Sequence, residues 1–166
     1  MWKIPLFELH ITPEDQAAVL EPLQTNWLTM GEQTKKFEAV FAERLGSKYA
    51  FAVSNGTAAL HLALIALGIG PGDEVLVPSL TFVACANVIK AVGATPVFVD
   101  IENEVDWTLS AADLERKITP RSKAVMLVHY AGFPCNYDKI LPIAKKFNLR
   151  IVEDCAHALV TQTPHG

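Results

Sequence analysis

Between Tyr49 and Val152 the chain alternates short apolar runs with helical stretches almost without interruption, and this alternation restricts its fold more than any other feature. The runs Tyr49–Val53, Glu74–Val77, Thr95–Val99, Ala124–Val128 and Arg150–Val152 predict strands. The stretches Thr57–Leu67, Phe82–Val92, Ser110–Ile118 and Tyr137–Phe147 predict the helices between them. Strands this short and apolar, each separated from the next by a helix, belong to a mainly parallel sheet covered by helices on both faces. Two further helices are predicted upstream. Thr12–Trp27 opens on an N-cap threonine, Pro13 and two acids, and Glu32–Leu45 is stopped by Gly46. No repeat, low-complexity segment or linker-like stretch divides the 166 residues, so a single α/β domain is expected.

The polar residues of interest fall just after the predicted strands: Ser54-Asn55-Gly56-Thr57, Ser79 to Phe82, Asp100, His129 with Tyr130, and Asp154 with His157. In a parallel sheet these positions share one edge, the edge outside the carboxyl ends of the strands where ligands of open α/β sheets bind. Gly56 and Thr57 open a helix whose free N–H groups and positive dipole end suit a phosphate; the plainer reading is that Ser54 or Asn55 caps the helix and Gly56 makes the turn. Phe82 either stacks on a planar heterocycle or belongs to the core. Asp154 either faces a cationic cofactor atom or caps and pairs locally, and His157 either bonds a cofactor oxygen or is a satisfied core histidine. His61, between Leu60 and Leu62 in mid-helix, reads as packing.

Other chemistries find little support. Gly68-Ile69-Gly70-Pro71-Gly72 follows a helix and precedes a strand, the reverse of a dinucleotide loop. There is no Walker lysine motif, no Gly-x-Ser-x-Gly elbow, and no zinc-site spacing around Cys155 and His157. A net charge of -4 argues against nucleic acid or an anionic membrane as partner. Three widely spaced cysteines, and no basic segment leading into an apolar run at the N-terminus, point to a reducing, cytoplasmic setting.

As an ordered set, these segments resemble the DegT/DnrJ-type sugar aminotransferases, pyridoxal-phosphate enzymes of the aspartate aminotransferase superfold. The resemblance rests on Trp27-Leu28-Thr29-Met30-Gly31, Ser54 through Leu64, Gly70 through Val75, Pro78 through Ala84, Gly93 through Asp100, Val128-His129, and Ile151 through Ala158. It implies the incomplete large domain of a fold-type I transferase, with residues 1–166 as an N-terminal segment plus part of the domain that binds pyridoxal 5'-phosphate (PLP). It further implies that Gly56, Thr57 and Ala58 bind the cofactor phosphate, Phe82 stacks on the ring, Asp154 pairs with the protonated ring nitrogen, and His157 lies near the phenolic oxygen. Gly31 would contact substrate. The implied reaction moves an amino group, commonly from glutamate, to a nucleotide-linked keto-sugar in polysaccharide or deoxyaminosugar biosynthesis, and the family's full-length enzymes are expected to be homodimers.

The family's Schiff-base lysine and its small C-terminal domain lie downstream of the Glu153-Asp154 motif and are not reached by Gly166. Lys117, Lys123, Lys139, Lys145 and Lys146 lie away from the predicted site edge. Thr161 to Gly166 also depart from the family's Lys-Gly or Arg-Gly turn, which predicts a truncated gene product, a frameshift near residue 161 being one route to it. No transaminase turnover is expected from these residues alone. The alternatives are a pyridoxamine-phosphate-dependent sugar dehydratase relative, a non-catalytic subunit of a full-length relative, and a nucleotide-binding α/β module.

Overall fold

The computed structural model describes residues 8–165. Cα packing divides the chain into two compact units, with the boundary between Ala52 and Val53. The boundary falls inside a segment that carries no linker composition.

The first unit holds two helices, α1 (Pro13–Thr25) and α2 (Glu32–Arg44). Thr12 caps α1 through a reciprocal pair of hydrogen bonds: its hydroxyl accepts from Asp15 N–H, and the Asp15 carboxylate accepts from Thr12 N–H. Asn26, in the left-handed region at φ 57, ends the helix one residue before the expected Trp27. Neither helix buries a residue.

The second unit runs α3 (Gly56–Ala66), β1 (Glu74–Pro78), α4 (Val83–Ala91), β2 (Thr95–Val99), α5 (Ala111–Lys117), β3 (Ser122–Val128), α6 (Tyr137–Lys146) and β4 (Arg150–Asp154). Its strands form a four-stranded, all-parallel sheet in the order β2-β1-β3-β4. Alternation along each strand builds two cores. Val75 and Val77 of β1 and Ala124, Met126 and Val128 of β3 pack with Leu60 and Leu64 of α3 and Cys85, Val88 and Ile89 of α4. Leu76, Val125 and Leu127 point the other way, onto Leu114 of α5 and Ile140 of α6. The expected helices on both faces are present.

The predicted strand Tyr49–Val53 is not one. Strand propensity is realised only through cross-strand neighbours, and no strand among the described residues pairs with this segment. Tyr49 and Phe51 are exposed and stack on each other instead, with ring centroids 6.3 Å apart. The sheet of the described residues therefore has four strands where the sequence predicts five.

Candidate functional site

Because the crossover helix α4 runs back along the sheet, its first turn lies on the same edge as the carboxyl ends of β1, β3 and β4. A cavity of about 420 Å³ opens there, lined among others by Thr81, Phe82, His129, Tyr130, Asp154 and His157. Three of the residues singled out in the sequence, Phe82, Asp154 and His157, thus share one cavity although they come from two different strand ends.

Asp154 closes β4, and the pleat sends it to the opposite face from Glu153. Its Oδ1 accepts the Ala156 N–H at 3.1 Å, which holds the turn after the strand, while Oδ2 accepts the Cys85 thiol at 3.5 Å. Burial first, and then the charge of Asp154, push the Cys85 thiol up to about 11, so it stays a neutral donor. Phe82 precedes α4 at its N-cap position, gives no side-chain cap, and stands 68% exposed, its ring face available to a ligand. The Thr81 hydroxyl beside it is buried and meets no partner other than the weakly polar Cys85 thiol.

His157 is fixed from the neighbouring loop. Its Nδ1 accepts the Ala131 N–H at 3.3 Å, and the Tyr130 ring meets it edge-on with centroids 6.3 Å apart. An accepting Nδ1 leaves the proton of the neutral ring on Nε2. The histidine therefore offers one N–H donor.

At the start of α3, Asn55 is the cap: its Oδ1 accepts the Ala58 N–H at 2.9 Å. Ala58 N–H is thus engaged within the chain, whereas Gly56 and Thr57 head the helix with the unsatisfied N–H groups of a first turn. A Cβ at Gly56 would meet nothing within 4 Å, so the space above this turn is open. Gly31, in the first unit, belongs to a different cavity, of about 680 Å³, lined by Trp27, Leu28 and Met30. There the glycine has a local reason: an added Cβ would come within 2.5 Å of the Trp27 ring, whose Nε1–H donates to Met30 O at 3.2 Å.

Sequence reasoning named Thr81, His129 and Tyr130 only as strand-end residues and Glu153 only as the neighbour of Asp154, gave none of them a role, and did not single out Cys85 or Tyr137. His129 is 3% exposed; its Nδ1 accepts the Cys135 N–H at 3.2 Å, and its Nε2 lies 3.2 Å from Tyr137 Oη and 3.4 Å from Glu153 Oε1. The Tyr137 hydroxyl also donates to Glu153. The hydrogen bond from His129 leads the interactions that hold the Glu153 carboxyl below its ordinary range. The only signal for this cluster in the sequence is a histidine at the end of one strand and a glutamate near the end of another.

The arrangement is an open parallel α/β unit with an aromatic, a carboxylate and an imidazole gathered at its strand ends, the position where open α/β sheets bind small ligands. Comparison with known proteins narrows the class. The sequence profile of the DegT/DnrJ/EryC1/StrS aminotransferase family matches residues 9–165, and the chain belongs to that family. It is 49% identical over 156 residues to a GDP-perosamine synthase of Escherichia coli O157:H7, covering 93% of this chain and 43% of that protein. It is 51% identical over 142 residues to a GDP-perosamine synthase of Caulobacter vibrioides, covering 85% and 38%. Among solved structures, a putative sugar aminotransferase from Streptococcus pneumoniae in its PLP form superposes with a TM-score of 0.89 at 35% identity, covering 96% of this chain and 44% of that one. The same protein has been solved in a PMP form. The chain spans about two fifths of the length of the curated relatives it matches.

Proposed function

We propose that this chain is the ring-binding part of a PLP-dependent aminotransferase acting on a nucleotide-linked keto-sugar, with glutamate as amino donor and a homodimer as the assembled form. The observation that carries this reading is the meeting of Phe82, Asp154 and His157 in one strand-end cavity. The donor set matches the cofactor group by group. It offers a helix start for a phosphate, an exposed aromatic face for a planar ring, a carboxylate for a cationic nitrogen, and an N–H for an oxyanion. The buried Thr81 hydroxyl, from a residue lining the same cavity, is one further donor.

Bound PLP supplies an electron sink for breaking bonds at an amino-bearing carbon. Asp154 keeps a proton on the ring nitrogen, held in place by its own bond from Ala156 N–H. Phe82 covers one ring face, His157 donates from Nε2 to the ring oxygen, and Gly56 and Thr57 bind the phosphate. Ala58 joins them only if the Asn55 cap gives way. We assign Gly31, in the first unit, to substrate contact. Proton transfer at the reacting carbon needs an amine that the cavity lining does not contain. We assign residues 1–166 to an N-terminal segment and part of the large domain, in a cytoplasmic enzyme. Among the described residues no helix is long and apolar enough to cross a membrane, and no cluster of three or more His, Cys, Asp or Glu could hold a metal ion.

Titration of the purified chain with PLP, NAD and ATP in parallel tests the reading. Saturable binding of PLP at concentrations where neither nucleotide binds is expected. Binding of NAD or ATP in preference to PLP would replace this reading with that of a nucleotide-binding module.

A further inference from the structure

His129 lines the cavity and its backbone N–H donates to Asp154 O at 3.3 Å, while its side chain closes the loop that follows. Its Nδ1 accepts the N–H of Cys135, six residues on, so the ring bridges both ends of the His129–Cys135 loop. Nε2–H is then the donor side of the ring, and it points at Tyr137 Oη and Glu153 Oε1. Tyr137 Oη–H itself donates to Glu153, so the glutamate anchors both donors. The imidazole is buried and fully used within the protein, leaving nothing to offer a ligand.

Inside the loop that this ring closes, Tyr130 to Gly132 form a single tight turn. Gly132 N–H donates to His129 O at 3.1 Å and Phe133 N–H to Tyr130 O at 3.0 Å. Ala131 takes a left-handed conformation at φ 54, which is strained for a residue with a Cβ and persists only when its surroundings enforce it. That conformation presents Ala131 N–H to His157 Nδ1. The turn is also pressed against the His157 segment. A Cβ on Gly132 would come within 3.1 Å of His157 O, and Thr161 Oγ1 donates to Gly132 O at 3.0 Å.

We infer that His129 is a positioning residue: by pinning the 129–135 loop between Cys135 N–H and the Tyr137–Glu153 pair, it holds Ala131 N–H on His157 and so fixes the His157 proton on Nε2. The inference rests on the proposed PLP site for its purpose, since a histidine locked as an Nε2–H donor is suited to an anionic ring oxygen. Its physical content does not need the cofactor. The left-handed Ala131, with no glycine to ease it, is the feature that demands a pin, and the buried histidine bridge supplies one.

Long-range ¹H–¹⁵N correlation spectra of the 166-residue chain near pH 8 read the tautomer directly. His157 is expected as the Nε2–H form alone, with a coupling across the bond from Ala131 N to His157 Nδ1. In His129→Gln the two His157 nitrogens should move toward averaged shifts and that coupling should vanish. Should His129→Gln not fold, Tyr137→Phe, which removes one anchor, should move the shifts the same way by a smaller amount. A wild-type His157 in the Nδ1–H or averaged form overturns the inference, as does a folded His129→Gln, or in its absence Tyr137→Phe, with unchanged His157 shifts. PLP affinity, measured alongside, should fall about twofold in His129→Gln if half of the molecules hold the competent tautomer. An intact tautomer lock in a chain that binds no PLP would sink the proposed function and leave the pin standing.

Discussion

Replacing Asp154 by Asn isolates the interaction on which the proposed cofactor site depends. The amide keeps an oxygen where Oδ1 accepts the Ala156 N–H at 3.1 Å, so the turn after β4 should hold. What is lost is the negative charge opposite a cationic ring nitrogen. A hydrogen bond to a charged group contributes about 1.5–3 kcal/mol. Asp154 is only partly buried, so solvent screening places the loss in the lower half of that range, about 1.5–2 kcal/mol. PLP should therefore bind Asp154→Asn roughly 10- to 30-fold more weakly than wild type. Absorbance or fluorescence titration gives the constant, and the urea midpoint shows whether the fold is intact. A folded Asp154→Asn with PLP affinity within about twofold of wild type would refute the assignment, because no pairing with the ring nitrogen could then be contributing appreciably.

Three further outcomes are expected. Gly56→Ala should leave stability within about 0.5 kcal/mol, since its Cβ meets nothing within 4 Å, while PLP affinity falls about tenfold through crowding of the phosphate contact; unchanged affinity would remove the anion cradle from the account. Gly132→Ala should cost about 1–2 kcal/mol in urea unfolding, because φ is +87 and the new Cβ would press on His157 O. Glu74 accepts from Thr119 and pairs with Arg121, and Asp113, against the cost of its burial, is held by Lys117 and Arg116; both carboxyls lie below their ordinary values. A depressed native pKa stabilises above the unfolded value of about 4 and is lost as pH falls through the native one, so Glu74→Gln should show a smaller drop in urea midpoint between about pH 6 and about pH 3 than wild type.

The sheet was legible because short apolar runs alternate with helices, a periodicity carried by each segment alone. Tyr49–Val53 misled for the opposite reason. Its composition suits a strand, but a strand exists only with a neighbour, and pairing is not a local property. At the site, Phe82, Asp154 and His157 could be found because each follows a strand, and a parallel sheet gathers such positions on one edge. Their supporting bonds could not. Cys85 reaches Asp154 across 69 positions, and His129 meets Glu153 only because β3 and β4 are neighbours in the order β2-β1-β3-β4. Nor does an alanine announce a left-handed backbone, so the Ala131 contact that orients His157 leaves no trace in the sequence.

The protonation state of the ring nitrogen in bound PLP tests the central claim most directly. With the pyridine nitrogen labelled with ¹⁵N, the wild-type chain should show it protonated at about pH 8, and Asp154→Asn should show it unprotonated under the same conditions. A bound cofactor whose nitrogen is unprotonated in the wild type, or whose signal is the same in both chains, would contradict the pairing with Asp154 and with it the proposed site.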